Sequence, residues 1–402
     1  SADTEQPIAA KTYQIGDQRN QYEVVAISDH SIIWMDSSLK ASYGENAEAA
    51  AQEIIQVYEG RPYAILTEIS GNDFPYQDGS GKLSIMLEVT ENGSSGYFSQ
   101  DQDITAIHIN TPETYKKGYF NGTSGLLTHE GQHAIFYWKV MKGISDPTLR
   151  WFNEGLSVAI MDYTWGGNDP TGWLEKISGN NTLRKGSALT YSTYRNTTVQ
   201  DYSMPYLFVR YLISQRAEDY QPIEFIKAVY QVQYNGDTGK FMDNVLAAAG
   251  LNQKLPTFSE ALKNFYVAAF KQSSSGVDGF YGDPIVKKQV SNYPVAYLSA
   301  NTEIMLEPTA SIVVKTQEGK FTVPAIHGDH ITYTPVTMNT ASDLSGQGTA
   351  ADPYRIQTIS DLRALAVYPS ASFSLENDLD YTGKNWMSVA EFTGMLEGNG
   401  HT

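Results

Sequence analysis

The chain has 402 residues, no cysteine, and 45 acidic against 28 basic side chains, a formal net charge of −17. A field of that sign repels phosphate backbones and anionic lipid, which excludes sequence-independent nucleic-acid binding. The missing cysteines remove disulfides, thiolate metal sites, iron–sulfur clusters and thiol nucleophiles together.

With 41% hydrophobic residues the chain can core two or three domains. No run approaches the roughly 20 apolar residues of a membrane-spanning helix, and no apolar signal segment stands at Ser1. In chain order, residues 22–27 and 31–35 are β-rich runs around a turn at Asp29-His30. Residues 47–58 have amphipathic helical spacing, with Gly60 as a stop. Residues 82–89 form a strand behind the turn Asp78-Gly79-Ser80-Gly81, and 104–109 form another. Helical patterns then dominate at 124–142, 151–163, 203–217, 221–233, 239–249 and 256–270. Strands followed by helices predict an α+β fold, a mixed sheet with a helical half, over residues 1–272.

Gln272-Ser273-Ser274-Ser275-Gly276 reads as a linker. Residues 297–338 alternate apolar and polar, notably at 310–315 and 330–334, and predict a small β domain over 273–340. A second boundary lies at 343–349. Residues 341–402 contain a helix-like DLRALA and Gly-punctuated strand-like pieces around Leu375, Trp386 and Phe392. The pattern resembles the opening of a right-handed β-helix with GLUG-type repeats, as on bacterial surface proteins. One coil cannot bury its own apolar face, so the natural chain is expected to continue past Thr402.

One motif carries chemistry: His129-Glu130-Gly131-Gln132-His133. Histidines four apart lie one above the other on a helix, so both imidazoles can hold one Zn²⁺. Glu130 then stands beside the ion, placed to take a proton from water and pass it to a leaving amine. Thr123-Ser124 is the expected N-cap, and Leu127, Ala134, Trp138 and Met141 the core-facing stripe. Trp151-Phe152-Asn153-Glu154-Gly155-Leu156-Ser157 supplies a third ligand: Glu154, 21 residues past His133, can return on a second helix. The competing reading of Glu154 is an acid at a helix N-terminus. Asn153 is read as a cap and Asp162 as a surface acid, the alternatives being substrate orientation and a hold on a ligand's ring nitrogen.

HEGQH with WFNEGLS resembles the gluzincin metallopeptidases, and within them the hyicolysin family. Residues 82–98 (KLSIMLEVTENGSSGYF) and 201–212 (DYSMPYLFVRYL) are similar to further segments of that family, so the resemblance spans roughly residues 15–270. It implies a zincin-like fold and a secreted bacterial zinc peptidase. Its ligands would be His129, His133 and Glu154 around one catalytic Zn²⁺, with Glu130 as general base. An oxyanion donor is also implied, for which Tyr202 stands first and Tyr206 second, each against the reading of a packing tyrosine. The expected partner is a peptide or protein laid along a sheet edge, possible at Gly96-Tyr97-Phe98-Ser99, or those residues are an ordinary turn. No nucleic acid, no membrane insertion and a monomer are expected, at the cell surface or outside the cell.

Two rivals differ in chemistry. An aminopeptidase would need acids to grip a free amine, and no GxMxN-type motif stands near the metal helix. A surface adhesin on a peptidase fold would not need Glu130. His108, in an apolar strand, reads as structural, and His327 and His330 as loop residues. The turn at Asp78 lacks the ligand series of a calcium loop, and Asn92-Gly93-Ser94 and Asn121-Gly122-Thr123 match the glycosylation triplet without further support.

Overall fold

The computed structural model describes residues 11–15, 18–100, 104–216, 220–273, 275–296, 303–315, 322–325, 327–336, 344–382, 389 and 392–402. They fall into two compact units, Ser1–Asp146 with Leu156–Asn168 and Gln221–Ala248, and Pro147–Gly155 with Asp169–Tyr220 and Ala249–Thr402.

The first unit is built on a mixed sheet of β1 (Lys11–Ile15), β2 (Gln18–Ile27), β3 (Ser31–Asp36), β4 (Leu83–Glu88), β5 (Gly96–Ser99) and β6 (Ala106–Asn110). The strand order is β1-β2-β3-β4-β6-β5. β3, β4 and β6 run parallel; β1, β2 and β5 are antiparallel to their neighbours. The parallel strands read as continuous apolar runs because both faces are covered: Ile33, Ile85, Leu87 and Ile107 are fully buried. α2 (Asn46–Gly60) lays Ala47, Ala50, Ala51, Ile54 and Tyr58, one helical stripe, on this core.

Local chemistry departs from the expectation at two places. α1 (Ser37–Tyr43) starts directly after β3, because Asp36 Oδ1 accepts from the Ser38 and Leu39 amides at 3.0 and 3.2 Å. Gly60 closes α2 as expected, but a further helix follows at once. Only Arg61 separates α2 from α3 (Pro62–Ile69), whose Pro62 suits a first turn where no amide bond is needed.

The sheet also buries a polar cluster. Glu88, at the end of β4, accepts from the hydroxyls of Tyr22 and Tyr97, and its Oε1 lies 3.0 Å from His108 Nδ1. The Tyr97 ring stacks on His108 with centroids 4.3 Å apart. His108 is thus a structural histidine of the sheet. Burial pushes the Glu88 carboxyl upward, but the His108 contact and the two tyrosine hydroxyls outweigh it and hold the group below its ordinary range.

The second unit packs aromatic side chains of α6 (Met204–Gln215) and α9 (Phe258–Lys271). Trp151 lies 5.6 Å from Phe208 and 5.8 Å from Phe258, and Phe208 meets Phe265 edge-on at 5.2 Å. A buried Arg210–Asp283 ion pair joins α6 to the start of α10 (Pro284–Gln289), where Asp283 also caps by accepting from the Ile285 amide at 2.9 Å. α7 (Ile223–Val229) and α8 (Thr238–Ala248) belong to the first unit.

The small β domain expected at 273–340 is not a sheet of alternating strands among the described residues. The pairing described there is β8 (Val313–Val314) with β7 (Val295–Ala296) and a lone bridge between Ser273 and Gly279, and residues 331–336 have no regular structure. Alternation makes a strand only where a partner edge exists. Residues 274, 297–302, 316–321, 326 and 337–340 of that segment, and Trp386, lie outside the described residues. Further on, β9 (Tyr354–Ile356), β10 (Ser372–Leu375) and β11 (Met395–Glu397) form a parallel sheet in the order β11-β10-β9. Phe373, fully buried, faces Tyr354 on one side and Leu396 on the other.

Replacing Glu88 by Gln removes the charge that the cluster is built to satisfy. It is expected to destabilise the chain by about 3 kcal/mol at neutral pH. Because the folded carboxyl sits below its unfolded value of about 4.3, that contribution is present above this pH and fades as pH falls through the folded value. Denaturant titrations of both chains at pH 7 and at lower pH check it: the gap between them narrows on acidification.

Candidate metal centre

α4 (Ser124–Ile135) carries the HEGQH motif. Its start is not capped as expected: Thr123 has helical dihedrals, and its Oγ1 donates to the Phe120 carbonyl at 2.8 Å. That bond closes the 3-10 turn Tyr119–Gly122 in front of the helix. The helix is also shorter than 124–142. At Phe136–Val140 it widens into a π turn, with the Met141 amide donating to the Phe136 carbonyl at 3.0 Å. One extra residue per turn rotates the side chains beyond it about the helix axis. Leu127, Ala134 and Met141 of the expected stripe are buried, while Trp138, inside the π turn, is only half-buried.

His129 and His133 point from one face of α4, with ring centroids 4.9 Å apart and ring planes at 84°. Between them, Gly131 admits α3: a Cβ there would stand 2.5 Å from Leu66 Cδ1. At the helix start, a Cβ on Gly125 would meet the Trp165 indole at 2.4 Å. The small residues let neighbours close on the helix from two sides.

α5 (Arg150–Thr164) brings the third candidate. It begins three residues before Asn153, so Asn153 lies in the first turn and is not the cap. Asp162, expected at the surface, is 4% exposed. The later part of α5 is laced to α4. Ser157 Oγ donates to Gln132 Oε1 and stands 3.2 Å from His133 Nδ1, and the Thr128 and Thr164 hydroxyls meet at 2.7 Å. With its proton given to Gln132, the Ser157 oxygen accepts from Nδ1–H, which leaves Nε2 as the His133 lone pair. One turn before Ser157 on the same rod, Glu154 is 4% exposed. One donor atom from each of His129, His133 and Glu154 lies within 4.8 Å of the others. Among the described residues this is the group of histidine and carboxylate donors able to share an ion.

Glu154 has a partner that sequence reasoning did not name. The Tyr194 hydroxyl donates to Glu154 Oε1, and the Arg150 guanidinium sits 4.8 Å above the Tyr194 ring. Burial, then the Glu154 charge and the bond donated to it, push the Tyr194 hydroxyl well above its ordinary range. Tyr202 is half-buried, stacked 6.2 Å from Tyr194 and edge-on to Trp173 at 4.7 Å; Tyr206 is fully buried in α6. Ser157 had a signal, since it is three residues from Glu154 on one helix face. Tyr194 had none, because it reaches Glu154 from a loop 40 residues on.

Gly155 sets how closely α5 and α6 approach beside Glu154: a Cβ there would stand 2.6 Å from the Pro205 carbonyl oxygen. Gly155→Ala is expected to cost about 1–3 kcal/mol, because a backbone oxygen cannot yield as a side chain can, and to weaken metal binding. Gly60→Ala, with open space at its Cβ, should be neutral or stabilising. Thermal unfolding and metal titration of the two variants check both.

No family model matches the chain. Over 262 residues it is 24% identical to the neutral metalloprotease ShpI of Staphylococcus hyicus, a match spanning 59% of this chain and 58% of that protein. The chain thus spans little more than half the length of this relative. The similarity, with the His-His-Glu cluster, supports a distant relationship to a metalloprotease and a metal-binding hydrolase.

Proposed function

We propose that the chain is a secreted zinc endopeptidase. The observation that carries this reading is the convergence of His129, His133 and Glu154 donor atoms within 4.8 Å on two helices. The donor set fits zinc: two imidazoles and a carboxylate are a usual catalytic triple, which keeps a fourth position open. Donors bound at about 2 Å in a tetrahedron stand about 3.3 Å apart, inside the observed spread. When bound, zinc supplies a Lewis acid that polarises a peptide carbonyl and acidifies water.

The chain's own residues do the rest. Glu130, adjacent to His129 on α4 and 6% exposed, accepts the proton of the attacking water. It then returns that proton to the departing amine. Ser157 keeps the His133 ring in one orientation and tautomer. Tyr202, half-buried and beside Tyr194, donates to the oxygen on which charge develops. β5 ends the sheet, so its outer edge offers main-chain groups to an extended peptide. Burial of Glu130, His129 and Glu154 favours chemistry in a site poor in bulk water.

The extracellular setting rests on the acidic, cysteine-free composition; no helix among the described residues is long and apolar enough to cross a membrane. The parallel strands β9, β10 and β11 support reading the last segment as the first coils of a β-helix.

Two experiments test the proposal. Glu130→Gln should lower kcat about 10²–10⁴-fold with zinc content unchanged, whereas Glu154→Ala should lose zinc. Cleavage of a diverse peptide mixture, with product termini read by mass spectrometry, should give internal cuts that vanish in Glu130→Gln. Stepwise N-terminal trimming would replace endopeptidase by aminopeptidase, and no cleavage by zinc-loaded protein would remove the enzymatic reading. Tyr202→Phe should lower kcat about 10²–10³-fold at intact zinc content; an unchanged kcat takes the oxyanion role from Tyr202.

A further inference from the structure

We infer that Tyr194 is a positioning residue for the third ligand, holding Glu154 by Oε1 so that the carboxylate keeps one rotamer before any ion arrives. The inference rests on the reading of His129, His133 and Glu154 as a metal site. Its basis is the way the loop around Tyr194 is built. The Arg150 guanidinium, one turn before Glu154 on α5, covers the Tyr194 ring at 4.8 Å and donates from Nη1 to the Ser192 carbonyl at 2.7 Å. The same helix turn therefore carries both the ligand and the group that holds the ligand's partner.

The loop is tied at further points. Asp201, 3% exposed, accepts from the Arg195 amide at 2.9 Å and the Thr197 amide at 3.3 Å, and its own carbonyl accepts from the Tyr191 hydroxyl. Arg195 Nη1 donates to Glu307 Oε2 at 2.7 Å. A segment without regular structure so heavily tethered on both sides of Tyr194 has little freedom to withdraw the hydroxyl. A glutamate has three side-chain torsions, and its freedom must be given up when it binds an ion. A hydrogen bond in place beforehand removes that loss from the binding step, which is how partners of metal ligands raise affinity.

The test is metal binding by the full chain, with no substrate present. Zinc affinity is measured by competition with a chelator, and the cobalt(II)-substituted protein gives an absorption band that reports ligand geometry. Tyr194→Phe, which keeps the ring under Arg150, should weaken zinc binding 10–100-fold and shift the cobalt band. Its far-ultraviolet circular dichroism should match that of the unsubstituted chain. Arg150→Gln should weaken binding in the same direction by a smaller factor. Unchanged affinity with an unchanged cobalt band in Tyr194→Phe overturns the positioning role while leaving the metal site standing. If the unsubstituted chain takes up no ion, or Glu154→Ala binds as tightly as it does, the metal-site reading fails and this inference fails with it. Should Tyr194→Phe not fold, Arg150→Gln decides: unchanged affinity there also overturns the role.

Discussion

Helix α5 is the member on which the site depends. A helix is stiff over a few turns, so bracing one part of it places the rest. Ser157 and Thr164 brace it against Gln132, His133 and Thr128 of α4. Glu154 stands one turn from Ser157, and it moves with the rod. Two imidazoles on one helix define a line of donors; the carboxylate from a second helix turns that line into a triangle. Without the brace, Glu154 is an acid just past the first turn of an ordinary helix.

Close approach is what the glycines around the site contribute. Gly131 lies under Leu66, Gly125 under Trp165 and Gly155 against the Pro205 carbonyl. None of the three has the positive backbone angle that only glycine tolerates well, so they serve packing and not turning. Each accepts the helical penalty of glycine, about 1 kcal/mol, in exchange for a closer approach of a neighbouring segment to α4 or α5. Polar atoms in such a tight interior must find partners. Ser157 supplies one to His133 and Tyr194 one to Glu154.

The sheet shows the same economy of polar groups. A carboxylate inside a parallel core is tolerated because Glu88 collects a histidine and two tyrosines. Tyr97 belongs to β5 and Tyr22 to β2, so the cluster ties the terminal strand across β6 and β4 to the antiparallel half of the sheet. The strand proposed to receive substrate is held at its inner face by this network, and its Phe98 packs 5.7 Å from Tyr137 beyond α4.

How much was legible in the residues depends on the range of each interaction. Periodicity is local, so β2, β3, β4, α2 and the helices between residues 150 and 271 were readable to within a few residues. HEGQH and Glu154 could be singled out because residues four apart share one helix face, and the donor atoms of His129, His133 and Glu154 do converge in the fold. The π turn at Phe136–Val140 was not, because α and π turns share the same apolar residues and differ in a hydrogen bond chosen by packing. The alternating residues near 331–336 did not become a strand, because pairing needs an edge that sequence alone does not supply. The sequence by itself determined the donor types, their order and the helices that carry them. Tertiary structure alone decided that Ser157 meets His133, that Tyr194 meets Glu154 and that β5 ends the sheet. The two side-chain contacts join residues 24 and 40 positions apart, and the free energy of such a contact resides in the folded packing and not in either segment.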